Sequence, residues 1–189
     1  YRGGIMFRLF KRKQKKQIRP ITLQDFIGQE NTKLILSVAL NGAKQRGSKL
    51  EHTIIYGPPG LGKTTLANII ATEMGSKLHT SIGTSIQKTT DIVDLFEDVF
   101  EGDIIFIDEI HRIPAKLEEL LYTAMEDGYI DLGYERIHIP KFTLVGATTR
   151  LGDLSKPLRD RFGIQLRLEY YSQEELVSIA YRTASVLNV

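Results

Sequence analysis

The chain has 189 residues, 42% hydrophobic and 25% charged, with a net charge of +2 and no cysteine. That length supports one domain whose core needs no disulfide or metal staple, and the missing cysteine excludes a disulfide framework and thiolate metal sites. The charge is uneven: residues 1–19 hold eight of the 25 Lys and Arg and none of the 23 Asp and Glu, which leaves the remainder at −6.

The basic stretch FRLFKRKQKK has no long apolar stripe to offset its ordering entropy. Residues 1–17 are expected to be a disordered arm, with a weak contact to nucleic acid or an anionic surface as the functional alternative. No apolar run approaches the length of a membrane span, and no apolar segment of a signal peptide follows the basic start, so the expected location is the cytoplasm. Thr22-Leu-Gln-Asp25 has capping-box spacing, and Gln29 to Arg46 is an amphipathic helix ended by Gly47. HTIIYG is a buried strand, KTTLANIIATEM a helix closed by Gly75, LHTSI a weak strand and TTDIVDLFEDV a helix. DIIFIDE is a second buried strand, AKLEELLYTAMED a helix, and YIDLGYERIHI a hairpin around Gly133. FTLVGATT and GIQLRLE are further strands, and Ser172-Gln-Glu-Glu175 caps a last helix. Apolar strands alternating with helices predict an α/β fold: a parallel sheet with helices on both faces and a short β-hairpin insertion.

GPPGLGKTT, from Gly57, matches G-x-x-x-x-G-K-[ST] between a predicted strand and a predicted helix, the context this phosphate-binding motif needs. Glycines let successive N–H groups turn toward phosphate, and the helix N-terminus adds positive potential. Lys63 can reach the β- and γ-phosphates, and Thr64 offers a hydroxyl to Mg²⁺. IIFIDE delivers Asp108 and Glu109 at the carboxyl edge of the sheet, where ligands bind in open α/β folds. Asp108 suits the Mg²⁺ shell, through water, and Glu109 suits polarisation of an attacking water. Thr148 and Thr149 end the next strand, where a polar group can sense the γ-phosphate. In PLRDRFG, Arg159 and Arg161 flank Asp160, which is either their salt-bridge partner or the bystander to a functional guanidinium.

Together RPITLQDFIGQE, YGPPGLGKTTLANIIA, FIDEIHR, AMED, PKFTLVGATTR, LRDRFGI and RLEYY resemble the AAA+ ATPases of Holliday junction branch migration, the RuvB family, from about Ile18 to the C-terminus. The resemblance implies a P-loop NTPase (AAA+) fold and an ATP-driven motor that moves four-way DNA junctions as a hexameric ring with RuvA. It implies ATP or ADP and Mg²⁺ as cofactors. Ile18, Arg19 and Ile27, with Phe26 and Gly28 behind them, resemble the adenine-side contacts. Gly60, Leu61, Gly62, Lys63, Thr64 and Thr65 resemble the phosphate and Mg²⁺ contacts. Asp108 and Glu109 resemble the acidic pair, Thr149 the first sensor, Tyr171 a further nucleotide contact, and Arg161 the arginine finger that acts on a neighbour's ATP. Glu126 and Asp127 lie where the family also touches nucleotide, although Gly128 replaces the tyrosine often found next.

Two departures bear on partners and domains. The segment 128–139 is shorter than the hairpin by which the family docks RuvA. The chain stops where the family's helical lid begins, so the expected division is 1–17 arm, 18–171 large ATPase domain and 172–189 the start of a lid, with the winged-helix domain absent. The alternatives are another DNA-directed AAA+ ATPase of the clamp-loader type, or a nucleotide-binding fragment without independent activity.

Overall fold

The computed structural model describes residues 18–187, and the basic arm, residues 1–17, lies outside them. In chain order the elements are α1 (Glu30–Arg46), β1 (Thr53–Tyr56), α2 (Lys63–Met74), β2 (Leu78–Ile82), α3 (Thr89–Phe96), β3 (Ile104–Asp108), α4 (Ala115–Asp127), β4 (Tyr129–Asp131), β5 (Arg136–His138), β6 (Thr143–Thr148), α5 (Lys156–Asp160), β7 (Ile164–Arg167) and α6 (Gln173–Leu187). Five strands form one sheet in the order β2-β3-β6-β1-β7, and every pairing in it is parallel. The strands β4 and β5 pair separately as the antiparallel hairpin, three residues on each side.

The continuous apolar runs have a simple cause: both faces of the sheet are covered. Ile54, Ile105, Ile107 and Leu144 point into a layer with Phe96, Leu121, Leu158 and Phe162, contributed by α3, α4, α5 and the turn after α5. Their neighbours Ile55, Phe106, Val145 and Leu166 point the other way, against Leu36, Leu66, Ile69 and Ile70 of α1 and α2. Each fully buried Leu or Ile contributes roughly 1.5–3 kcal/mol to this three-layer core.

Three boundaries differ from the sequence expectation. Thr22 and Asp25 do bond reciprocally, Thr22 Oγ1 donating to Asp25 Oδ2 at 2.8 Å and Asp25 N donating to Thr22 Oγ1 at 3.3 Å. They close a turn rather than start a helix. Gly28 and Gln29 both take positive φ, and α1 begins only at Glu30. Gln29 tolerates this because its side-chain amide clamps the backbone of Glu169, donating to its carbonyl at 2.6 Å and accepting from its N–H at 3.0 Å.

The helix α3 stops at Phe96, short of Val99, and a single-turn helix, α5, covers Lys156–Asp160, where the sequence assigns no element. Ser155 caps α5 by accepting from Leu158 N at 3.4 Å, and Pro157 occupies its first turn, where the missing N–H costs nothing.

A buried histidine stitches the amino edge of the sheet. His52 Nδ1 accepts a hydrogen bond from Leu144 N at 2.8 Å, and its ring packs 5.4 Å from that of Phe142. Burial, reinforced by the Lys49 ammonium, pushes the His52 pKa from 6.5 down to about 4. Between those values the unfolded chain binds the extra proton. The stabilisation is therefore complete above pH 6.5 and is lost as pH falls through about 4. A shift of that size corresponds to about 3 kcal/mol. His52→Asn keeps an acceptor for Leu144 N–H but has nothing to titrate. Urea unfolding over this range is expected to show wild-type stability falling toward acid more steeply than that of the variant.

Candidate active site

The phosphate loop leaves β1 at Gly57 and enters α2 at Lys63. Gly57 has φ +148°, and a Cβ there would lie 2.4 Å from the Leu168 carbonyl oxygen, a backbone atom that cannot step aside. Its own N–H donates to Thr148 O at 3.2 Å, which ties the loop to the end of β6. The helix α2 has no side-chain cap and no acidic residue in its first turn, so its free N–H groups and positive potential face an anion uncompensated. Lys63 is 7% exposed and its ammonium donates to Gly57 O at 2.9 Å and Pro58 O at 2.8 Å. Burial pushes its pKa down, and the carboxylates of Glu109 and Asp108 oppose that shift.

The two acids follow from strand register. Tyr56 of β1 lies opposite Thr148 of β6, and Ile107 of β3 lies opposite Gly146, so Gly57, Asp108 and Thr149 emerge together at the carboxyl edge. Asp108 Oδ1 accepts from Glu109 N at 2.9 Å. Glu109 itself is left-handed, φ 48° and ψ 45°, the backbone turning sharply out of the strand. Its Oε2 receives a long contact from Thr149 Oγ1 at 3.4 Å and lies 3.3 Å from His111 Nε2. The other ring nitrogen, His111 Nδ1, is 2.8 Å from Thr148 Oγ1, which also accepts from Arg150 N at 2.9 Å. The sequence reading placed Thr148 and Thr149 here and missed His111. Its only local signal is its place two residues after Glu109, on a 3₁₀ turn.

Of the residues expected on the adenine side, Tyr171, Phe26 and Arg19 lie near the start of α2. Tyr171 Oη donates to Leu61 O at 3.0 Å, and the Phe26 ring lies against Gly62. Arg19 lines a pocket of about 140 Å³ with Thr65 and Asn68. Ile18 is exposed, its carbonyl accepting from Arg182 Nη1 of α6 at 3.2 Å. Ile27 is half-buried between buried Phe26 and Gly28.

Glu126, Asp127 and Arg161 are elsewhere. Arg161 caps α5 and precedes β7 by three residues, and β7 begins at the amino edge, with Ile164 N donating to His52 O at 3.2 Å. The strand β1 separates that edge from the phosphate loop by three steps, about 10 Å. Arg161 does not pair with Asp160. Its Nη1 meets Glu126 Oε2 at 2.5 Å, in the last turn of α4, and its guanidinium carbon lies 5.5 Å from the centroid of the Tyr122 ring. Its Nε is the only buried side-chain nitrogen or oxygen among the described residues without a hydrogen-bond partner.

The family model of the Holliday junction DNA helicase RuvB P-loop domain matches residues 18–168. The chain belongs to the RuvB family. The Holliday junction branch migration complex subunit RuvB of Phytoplasma mali is 51% identical over 183 residues, 93% of this chain and 55% of that protein. The corresponding subunit of Oenococcus oeni is 51% identical over 179 residues, 90% of this chain and 53% of that protein. Among solved structures, the RuvB Holliday junction branch migration motor of Thermotoga maritima superposes with a TM-score of 0.84 at 50% identity, covering 91% of this chain and 55% of that one. A mutant of the same protein gives 0.86 at 52%, covering 90% and 56%. The chain spans about half the length of the curated relatives it matches.

The residues present fit the nucleotide that a RuvB P-loop domain implies. The loop has no side chain at Gly57, Gly60 or Gly62 to fill the cradle, and the buried Lys63 ammonium is held against the loop carbonyls of Gly57 and Pro58. Among the described residues no cluster of three or more His, Asp or Glu is arranged to hold a metal alone. Mg²⁺ takes one or two protein oxygens and completes its shell with water and phosphate, and the Thr64 hydroxyl and Asp108 carboxylate are the oxygens that would hold it. Gly57→Ala is expected to lower stability by about 1–3 kcal/mol. It is also expected to weaken nucleotide binding by about tenfold or more, each tenfold being about 1.4 kcal/mol. Thermal unfolding and calorimetric titration measure the two effects separately.

Proposed function

We propose that this chain is the ATPase part of a DNA motor subunit that drives Holliday junction branch migration in recombination and repair. In this reading residues 18–171 are the AAA+ large domain and the segment from 172 opens a lid. Lys63, with the N–H groups of Gly60 to Thr65, holds the β- and γ-phosphates. Thr64 and Asp108 hold Mg²⁺, which when bound neutralises charge on those phosphates. Glu109 accepts a proton from the water that attacks the γ-phosphorus, as the bond to the β-phosphate oxygen breaks and ADP leaves. Thr149 orients that water or senses the γ-phosphate. Ile18, Arg19, Ile27 and Tyr171 contact the nucleoside.

The observation that carries this reading is the separation of Arg161 from the chain's own phosphate loop, at opposite edges of the sheet. An arginine finger has to touch the γ-phosphoryl oxygens, where guanidinium contributes roughly 10³–10⁵ in turnover in comparable systems. In this reading Arg161 acts on a neighbour's nucleotide, and Glu126, its ion-pair partner, lies on the same side of the molecule. The site is then complete only in a ring of copies. Four-way junction DNA is the proposed substrate of the motion, and a RuvA-like protein the proposed partner. The short β4–β5 hairpin, with Tyr134 84% exposed in its loop, is the docking element in this reading.

Stimulation of ATP hydrolysis by a four-way junction tests the motor reading directly. Equal rates with junction, linear duplex and no DNA would favour a nucleotide-binding module instead. Arg161→Ala is expected to bind ATP normally and to lose about 10³-fold or more in turnover. Mixing it with Lys63→Ala should restore part of the activity, and no recovery on mixing would sink the trans assignment. Glu109→Gln is expected to keep ATP affinity and lose about 10²–10⁴-fold in turnover, the usual contribution of a general base.

A further inference from the structure

The chain of contacts from Thr148 through His111 to Glu109 admits one arrangement of hydrogens with a neutral ring. An ionised carboxylate only accepts, so His111 Nε2, 3.3 Å from Glu109 Oε2, must carry the hydrogen that faces it. Nδ1 of a neutral ring is then the acceptor, and Thr148 Oγ1 donates to it across 2.8 Å. Thr148 can do so because Arg150 N–H already occupies a lone pair of its oxygen, at 2.9 Å, and leaves its own hydrogen free. Surroundings hold the pieces still: Thr148 is fully buried and the His111 side chain is 2% exposed. The Glu109 carbonyl is pressed against Gly83, where a Cβ would lie 2.3 Å away. Its carboxylate, by contrast, is a third exposed and meets Thr149 only at 3.4 Å.

We propose that His111 is the positioning residue of Glu109, tying the carboxylate to the end of β6 so that the strand carrying Thr149 also sets the base. This rests on the reading of Glu109 as the base for ATP hydrolysis. A buried histidine with a merely structural role would affect folding but would not separate turnover from binding, and would not require one tautomer.

Steady-state ATP hydrolysis, ATP affinity and ring-nitrogen NMR of the full chain test it together. With four histidines in the sequence, the His111 signals are assigned by their loss in His111→Gln. His111→Ala is expected to lower kcat by about tenfold to a hundredfold, the range that outer-shell partners contribute in metal sites, with KM and ATP affinity little changed. His111→Gln, whose amide can both donate to Glu109 and accept from Thr148, should recover much of that loss. The neutral form of the wild-type ring should carry its hydrogen on Nε2, and Thr148→Val should raise the Nδ1–H tautomer. A hydrogen on Nδ1 in the wild type, or an unchanged kcat in a folded His111→Ala, overturns the proposal. If His111→Ala does not fold, full kcat in His111→Gln together with an unaltered tautomer in Thr148→Val overturns it. In a chain that does not turn over ATP, the ring-nitrogen spectra decide alone. If Glu109→Gln leaves hydrolysis intact, the catalytic reading of the site falls; if it abolishes hydrolysis while His111→Ala does not, only the positioning role falls.

Discussion

The strand β6 is buried along its whole length and ladders with β3 on one side and β1 on the other. The arrangement of the site depends on that double pairing. A central parallel strand has no freedom to slide, because a slip of one residue would turn every inward side chain to the wrong face. Held in register, its neighbours end level with it. The phosphate loop leaves β1 beside Thr148, and the acidic pair leaves β3 just beyond Gly146. The functional groups come from three segments far apart in sequence, and none of them has to be carried there by a flexible loop.

Chain direction settles the other half of the geometry. In a parallel sheet every strand starts at the same edge, so a residue just before a strand and a residue just after one sit at opposite ends. Arg161 just precedes β7, while Gly57, Glu109 and Thr149 follow their strands. The guanidinium is held at the amino edge by Glu126 and lies over the Tyr122 ring, both supplied by α4. A half-exposed ion pair of this kind is weak, typically about 0–1 kcal/mol, so it orients the side chain without locking it.

At the carboxyl edge the backbone spends some stability on placement. Left-handed φ at a residue with a side chain costs about 1–2 kcal/mol. Glu109 holds that conformation while Ile110, fully buried, anchors the turn, and Arg112 N bonds the Glu109 carbonyl at 2.8 Å. The result points the carboxylate away from the strand axis, toward Thr149 and His111, rather than along the path Asp108 takes.

Local chemistry was legible in the sequence. A glycine loop between strand and helix, a buried strand ending in two acids and an alternation of apolar strands with helices are short-range patterns, and each reflects a constraint acting within a few residues. Even the weak strand LHTSI and the hairpin around Gly133 are where their periodicity puts them. Element ends were less legible, because α1 starts where Gln29 finds the Glu169 backbone, 140 residues away. What only the tertiary structure decided is who meets whom. It joined His111 to Thr148 across 37 residues, gave Arg161 to Glu126 rather than to adjacent Asp160, and set the arginine and the phosphate loop at opposite edges of one sheet. Those outcomes depend on strand order, register and the choice of covering layer, which are properties of the whole chain and leave no trace in the spacing of neighbouring residues.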